Sequence, residues 1–179
     1  EKAIRGIKER HGNIKDLDKL AEIIAYGAVK FAILKVAPNK NIVFNIDQAM
    51  SMEGETSLYI QYACARASSI INKTKSKTPD YKIQTQIEKN LISKMSDFPK
   101  IVEEASKKLQ PHIIANYSLE LSKLFNEFYH ICQVLSEKEP IKSTRLEIVK
   151  SAKQILSNAL SLLGIEAPKS LYFSLILLF

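Results

Sequence analysis

GETSLYIQYACARASSII, residues Gly54–Ile71, decides how this chain is read, because wound as a helix it sorts its side chains onto two opposed faces. At about 100° per residue, Ile60, Cys64, Ala67 and Ile71 fall on one apolar stripe, while Tyr59, Tyr62, Arg66, Ser69 and Lys73 gather on the far side. Thr56 stands where an N-terminal cap is needed. Two tyrosines flanking an arginine supply stacking surfaces and a fixed positive fork, the chemistry that unpaired bases and phosphates of single-stranded RNA require. Tyrosines at helical spacing also pack against neighbouring elements, so periodicity alone leaves both readings open.

Outward from this helix the apolar spacing is helical almost everywhere. Ile4–Lys35 reads mainly as helix, with Leu17, Leu20, Ile23 and Ile24 in a 3.6-type repeat and Asp16 or Asn13 as candidate caps. Pro38-Asn39-Lys40-Asn41 ends it by turn chemistry. Asn41–Ile46 (NIVFNI) reads as extended, either a lone connector or a strand whose partner lies outside this chain. Gly54 interrupts the pattern, which puts a boundary near Met52–Thr56. Ile83, Ile87, Leu91 and Met95 form a second stripe that stops near Asp97-Phe98, and Pro99 and Pro111 suit the first turns of the next two helices. From Pro111 to Leu135, positions Ile114, Tyr117, Leu121, Leu124, Phe128, Ile131 and Leu135 alternate spacings of three and four. Ser136–Lys142 is a loop, after which Val149, Ala152, Leu156, Ala159 and Leu163 repeat the pattern up to Gly164, a natural stop. The expectation is an all-α bundle of about five helices with a short mixed N-terminal segment.

A chain of 179 residues that is 46% hydrophobic and 25% charged has the material for one substantial core and does not read as disordered. Its net charge of +7 favours a polyanionic partner. Between Arg66 and Lys82 the basic residues Arg66, Lys73, Lys75, Lys77 and Lys82 face one acid, Asp80, in a Ser/Thr/Lys-rich run that suits either a phosphate-attracting loop or a solvated linker. Cys64 and Cys132 sit in apolar patterns without Cys-x-x-Cys, and His11, His112 and His130 are dispersed, so neither a metal site, a disulfide framework nor a catalytic constellation is indicated. No secretory signal is read at the start, and LYFSLILLF (Leu171–Phe179) is far short of the roughly twenty residues a membrane span needs. A reducing cytoplasm and no membrane partner are expected.

The wording of these blocks carries more. GETSLYIQYACARASSI resembles the GNTGPYLQYAHARICSI type of segment that opens the DALR-type anticodon-binding domain of arginyl-tRNA synthetases, enzymes of class I. Upstream, AEIIAYGAVKFAILKVAPNKNIVFNIDQAMSMEGET (Ala21–Thr56) is similar to the stretch that links the catalytic core to that domain. Downstream, FPKIVEEASKKLQPHIIANYSLELSKLFNEFYHICQVL (Phe98–Leu135) and TRLEIVKSAKQILSNALSLLGIEAP (Thr144–Pro168) resemble its helical centre and its last long helix. The resemblance implies a C-terminal portion of such an enzyme: residues 1–53 as the end of the catalytic core and connector, 54–171 as the helical anticodon-binding domain, and 172–179 as an atypical apolar tail.

On that resemblance the chain recognises the anticodon loop of arginine tRNA, while a catalytic core in cis, absent from this sequence, ligates arginine to the tRNA using ATP with Mg. The fragment itself is expected to hold no cofactor and to be inactive alone. Tyr59, Tyr62 and Arg66 carry over as anticodon contacts, with Lys73 attracting phosphates. Tyr129, His130 and Gln133, read as lying on one helix, line a candidate groove beside them. Gln61, Phe125 and Phe128 are expected to support the fold, and Arg145 to support the seat or cap a helix. Lys94-Met95-Ser96 echoes the family's Lys-Met-Ser-Lys-Ser loop, but it falls inside a helical stripe and is followed by Asp97, so it is read as coincidence. The family's His-Ile-Gly-His type motif is absent, and the residues after Pro168 depart from the family's usual ending. Two other readings stand: the helical module of another synthetase, and a non-enzymatic interaction bundle whose apolar tail docks a partner.

Overall fold

The proline, threonine and glycine punctuation of the sequence sets the path of the chain. The computed structural model describes residues 17–51, 54–75 and 77–168, and in them finds α1 (Leu17–Leu34), α2 (Ile46–Ala49), α3 (Ser57–Lys73), α4 (Gln86–Ser96), α5 (Phe98–Lys108), α6 (His112–Ile131) and α7 (Ile141–Leu162). The last five make the expected helical bundle. The Thr56 hydroxyl accepts from the Tyr59 N–H at 3.2 Å and starts α3. A reciprocal capping box between Thr85 and Glu88 starts α4. Pro99 lies in the first turn of α5, Pro111 is the cap residue of α6, and Leu109 closes α5 in the left-handed region at φ 54°. Gly164, at φ 66°, follows α7 in a conformation that side chains resist.

Helix α3 runs through the middle of the bundle, packed chiefly on α7, α1 and α6. Its apolar stripe explains why: Ile60, Cys64 and Ala67 are fully buried, and Ile71 is partly so. They meet Leu121, Phe125 and Phe128 of α6 and Leu146, Val149, Ala152, Leu156 and Leu160 of α7 in one continuous core. Each such large side chain removed from water contributes about 1.5–3 kcal/mol before ordering costs. Ile24, Ala28 and Phe31 are the buried face of α1.

Two elements differ from the sequence reading. No strand occurs among the described residues: Asn41–Asn45 is an irregular connector, Val43 is 93% exposed, and Ile46 already belongs to α2, whose first turn is capped by the Asn45 side chain. Within the described residues the segment is a connector. Helix α6 stops at Ile131, four residues before the predicted end. The Cys132 N–H bonds the Phe128 carbonyl at 2.7 Å and the residue then turns extended. Alternation with a period of two takes over from that point, burying Cys132 and Val134 and leaving Ile131 and Leu135 exposed, the reverse of the helical expectation. The caps Asn13 and Asp16, His11, the helical reading before Leu17, Met52 and Glu53 at the boundary, and the tail 172–179 lie outside the described residues. Among the described residues, no helix is long and apolar enough to cross a membrane.

Candidate nucleic-acid interface

Because α3 is packed on several sides, the strip carrying Tyr59, Tyr62, Arg66, Ser69 and Lys73 is its outward edge: the first three are half-buried, and Ser69 and Lys73 are exposed. Tyr62 lies four residues before Arg66 on the same face, and α6 brings Asn126 and Tyr129, three residues apart, against them. The Arg66 guanidinium carbon sits 4.4 Å from the Tyr62 ring centroid and 4.3 Å from that of Tyr129. One guanidinium nitrogen donates to Asn126 Oδ1 at 2.7 Å, the other to the Tyr62 hydroxyl at 2.6 Å. The His130 ring stands edge-on to Tyr129, with centroids 5.7 Å apart. Each cation–π contact at such a half-buried site contributes about 0.5–2 kcal/mol, and the two hydrogen bonds fix the plane.

The result is a Tyr62–Arg66–Tyr129 column joining α3 to α6. Two tyrosine rings and two hydrogen bonds already engage the guanidinium in this arrangement. It keeps N–H donors beyond the two already used, and Tyr129, 40% exposed, keeps an accessible ring.

Of the predicted residues, the fold thus gathers Tyr62, Arg66, Tyr129 and His130. Tyr59 lies one turn before Tyr62, and Lys73 lies two turns beyond Arg66 in the last turn of α3. Gln133 is not on α6. It follows the helix end, its Oε1 accepts from the Ser136 hydroxyl at 2.7 Å, and its carbonyl accepts from Arg145 at 2.9 Å. Tyr129, His130 and Gln133 therefore do not share one helix, because the chain turns extended at Cys132. Gln61 is fully buried and donates to the Glu166 carbonyl at 2.9 Å, tying α3 to the chain after α7. Gly27 of α1 makes room for it, since a Cβ there would lie 3.0 Å from Gln61 Nε2.

Asn126 escaped the sequence reading, although a polar residue three positions before Tyr129 and next to buried Phe125 marks a site where a hydrogen bond must be made. Arg145 is more central than a cap. Its Nε bonds Glu88 Oε1 at 2.7 Å, and one terminal nitrogen bonds both the Gln133 carbonyl and Glu137 Oε2, each at 2.9 Å. Glu88 Oε2 in turn accepts from the N–H groups of Gln84 and Thr85. Burial opposes the Glu88 charge, yet the Arg145 guanidinium and the Thr85 and Gln84 N–H groups together hold its carboxyl below the ordinary value. One buried pair thus locks the start of α4, the start of α7 and the chain leaving α6 just beyond Tyr129 and His130.

The remaining candidates for chemistry are occupied structurally. Lys94 pairs with Glu120 and lies over the Tyr117 ring, while Met95 is buried within α4, so the Lys-Met-Ser tripeptide is helix and not loop. Burial pushes the Cys64 thiol up to about 12, which removes the thiolate that a nucleophile would need. Among the described residues, no group of three His, Cys, Asp or Glu is placed to hold a metal ion.

A family model described as the DALR anticodon binding domain matches residues 60–171. The arginine–tRNA ligase of Pyrococcus abyssi is 39% identical over 171 residues, which are 90% of this chain and 27% of that protein. The arginine–tRNA ligase of Methanococcus maripaludis is 40% identical over 168 residues, 92% of this chain and 29% of that protein. The arginyl-tRNA synthetase of Thermus thermophilus superposes with a TM-score of 0.89 at 34% identity, over 94% of this chain and 30% of that one. That of Plasmodium falciparum superposes with a TM-score of 0.78 at 27% identity, over 94% and 30%. The chain spans under a third of the length of each of these relatives.

Proposed function

The chain belongs to the DALR anticodon binding domain family, and from that premise we propose that it recognises the anticodon loop of arginine tRNA as part of an arginine–tRNA ligase. In that reading residues 1–53 join it to a catalytic core elsewhere in the parent chain, which consumes ATP with Mg in the cytoplasm, and residues 54–171 are the recognition module. The observation that supports it best is the Tyr62–Arg66–Tyr129 column, an aromatic and cationic surface on a packed helix pair. An unpaired base stacks on an accessible tyrosine ring, and the spare donors of Arg66 take a phosphate or a base edge. Tyr59, one turn before Tyr62, and His130, edge-on to Tyr129, extend the surface. Lys73 supplies attraction that carries no sequence information.

Salt separates this from an apolar docking bundle. Binding of arginine tRNA to the full chain should weaken steeply between 50 and 200 mM salt, as phosphate contacts do. Arg66→Ala and Tyr129→Ala should each weaken it by about 1–3 kcal/mol while helicity is unchanged. Affinity indifferent to salt and to both substitutions would refute the proposal.

A further inference from the structure

The loop between α3 and α4 carries a residue that the column does not use. Tyr81 is 72% exposed and holds φ at 55°, a left-handed backbone that a bulky side chain rarely adopts. It is pinned rather than loose, since its N–H bonds the Thr144 hydroxyl at 3.3 Å and the Lys77 N–H bonds the Ser143 hydroxyl at 2.8 Å. Both anchors belong to the first turn of α7, next to Arg145, whose guanidinium holds the Gln133 carbonyl just past Tyr129 and His130. The loop therefore lies at the end of the bundle where α3 and α6 finish and α4 and α7 begin. Its charge is one-sided. Asp80 is paired with Lys82 at 3.3 Å, whereas exposed Lys73, Lys75 and Lys77 have no acidic partner among the described residues.

A strained backbone that presents an aromatic ring to solvent, on the same loop as exposed Lys75 and Lys77, contributes nothing to the core, and a glycine there would be the relaxed solution. Aromatic rings interleaved with lysines are the elements from which single-stranded nucleic acid is bound. We infer that Tyr81 is a second base platform, separate from the Tyr62–Arg66–Tyr129 column, on which an unpaired nucleotide stacks while Lys73, Lys75 and Lys77 hold the flanking phosphates. This rests on the reading of the chain as an RNA-binding module.

The test uses the full chain and a fluorescently labelled, unmodified arginine tRNA transcript, with the variants Tyr81→Gly, Tyr81→Phe and Arg66→Ala. Tyr81→Gly should raise the melting temperature by relieving the left-handed strain, yet weaken RNA binding about 5- to 150-fold, and Tyr81→Phe should bind as the parent does. A merely structural tyrosine would not separate stability from affinity in this way. Tyr81→Gly binding as tightly as the parent while Arg66→Ala does not would overturn the second platform alone and leave the ring free for a protein partner. Tyr81→Gly melting lower than the parent would assign Tyr81 to the fold and equally overturn it. Failure of the parent itself to bind the transcript would overturn both this inference and the reading on which it rests.

Discussion

Removing the Arg145 side chain should cost this fold heavily, because it strands a buried carboxylate. Glu88 beneath it is 1% exposed, and in an Arg145→Ala variant its carboxylate keeps the Gln84 and Thr85 N–H groups but loses its counter-charge. The Gln133 carbonyl and Glu137 lose a donor at the same time. Stranding a buried charge by deleting its partner costs about 3–5 kcal/mol. For a domain of this size each kcal/mol moves the melting temperature by about 2–4 °C, so a fall of about 6–20 °C is expected. Thermal and urea denaturation followed by circular dichroism measure it directly. The pH dependence supplies the signature. The native Glu88 carboxyl lies below its ordinary value of 4.5, so the pair's contribution is complete above that pH and is lost as pH falls through the lower native value. The parent and Arg145→Ala curves should therefore converge in acid below pH 4.5 and stand apart at neutral pH. A loss under about 1 kcal/mol, or one equally large at pH 7 and in acid, would mean that Arg145 does not neutralise a buried Glu88 charge.

Three further outcomes follow from the geometry. Asn126→Ala should leave the fold within about 1–2 kcal/mol of the parent but release the Arg66 plane, weakening arginine tRNA binding, with Asn126→Asp restoring it through a new ion pair; titration of both variants checks this. Both cysteines are buried, and the Cys64 thiol is pushed up to about 12, so Ellman's reagent at pH 8 should find neither thiol in the native chain and both once urea unfolds it. Gly164→Ala meets no close atom, its nearest neighbour being Lys30 Nζ at 3.7 Å, so the expected loss of about 1 kcal/mol is backbone strain at φ 66° and should appear in urea denaturation.

The helices were legible because their punctuation is local. Thr56, Pro99, Pro111 and Gly164 act within a turn of themselves, and apolar stripes such as Val149 to Leu163 need only their own spacing. The end of α6 was not, because Ile131 and Leu135 continue the helical repeat while Cys132 and Val134 satisfy an extended one. Beyond the helix end the Gln133 carbonyl is taken by the Arg145 side chain, a partner that the local apolar pattern does not reveal. NIVFNI forms no strand among the described residues because β-branched residues describe a surface that fits a sheet, and no second strand is there to pair with it. On the outward strip, helical phase alone grouped Tyr62 with Arg66. The column needed α6 as well, and neither the Asn126 hydrogen bond nor the Tyr129 ring beside the guanidinium follows from the spacing of α3. Tyr81 was invisible as a candidate because its exposure and its φ belong to the folded chain.

The most direct measurement is the affinity of this chain for an arginine-tRNA anticodon stem-loop, set against the same stem carrying a scrambled loop. An anticodon-reading module should bind the native loop preferentially, with that preference reduced by about 1–3 kcal/mol in Tyr62→Ala and Arg66→Ala variants of unchanged helicity. Equal binding to both loops, untouched by either substitution, would contradict it and leave a basic helical bundle without anticodon recognition.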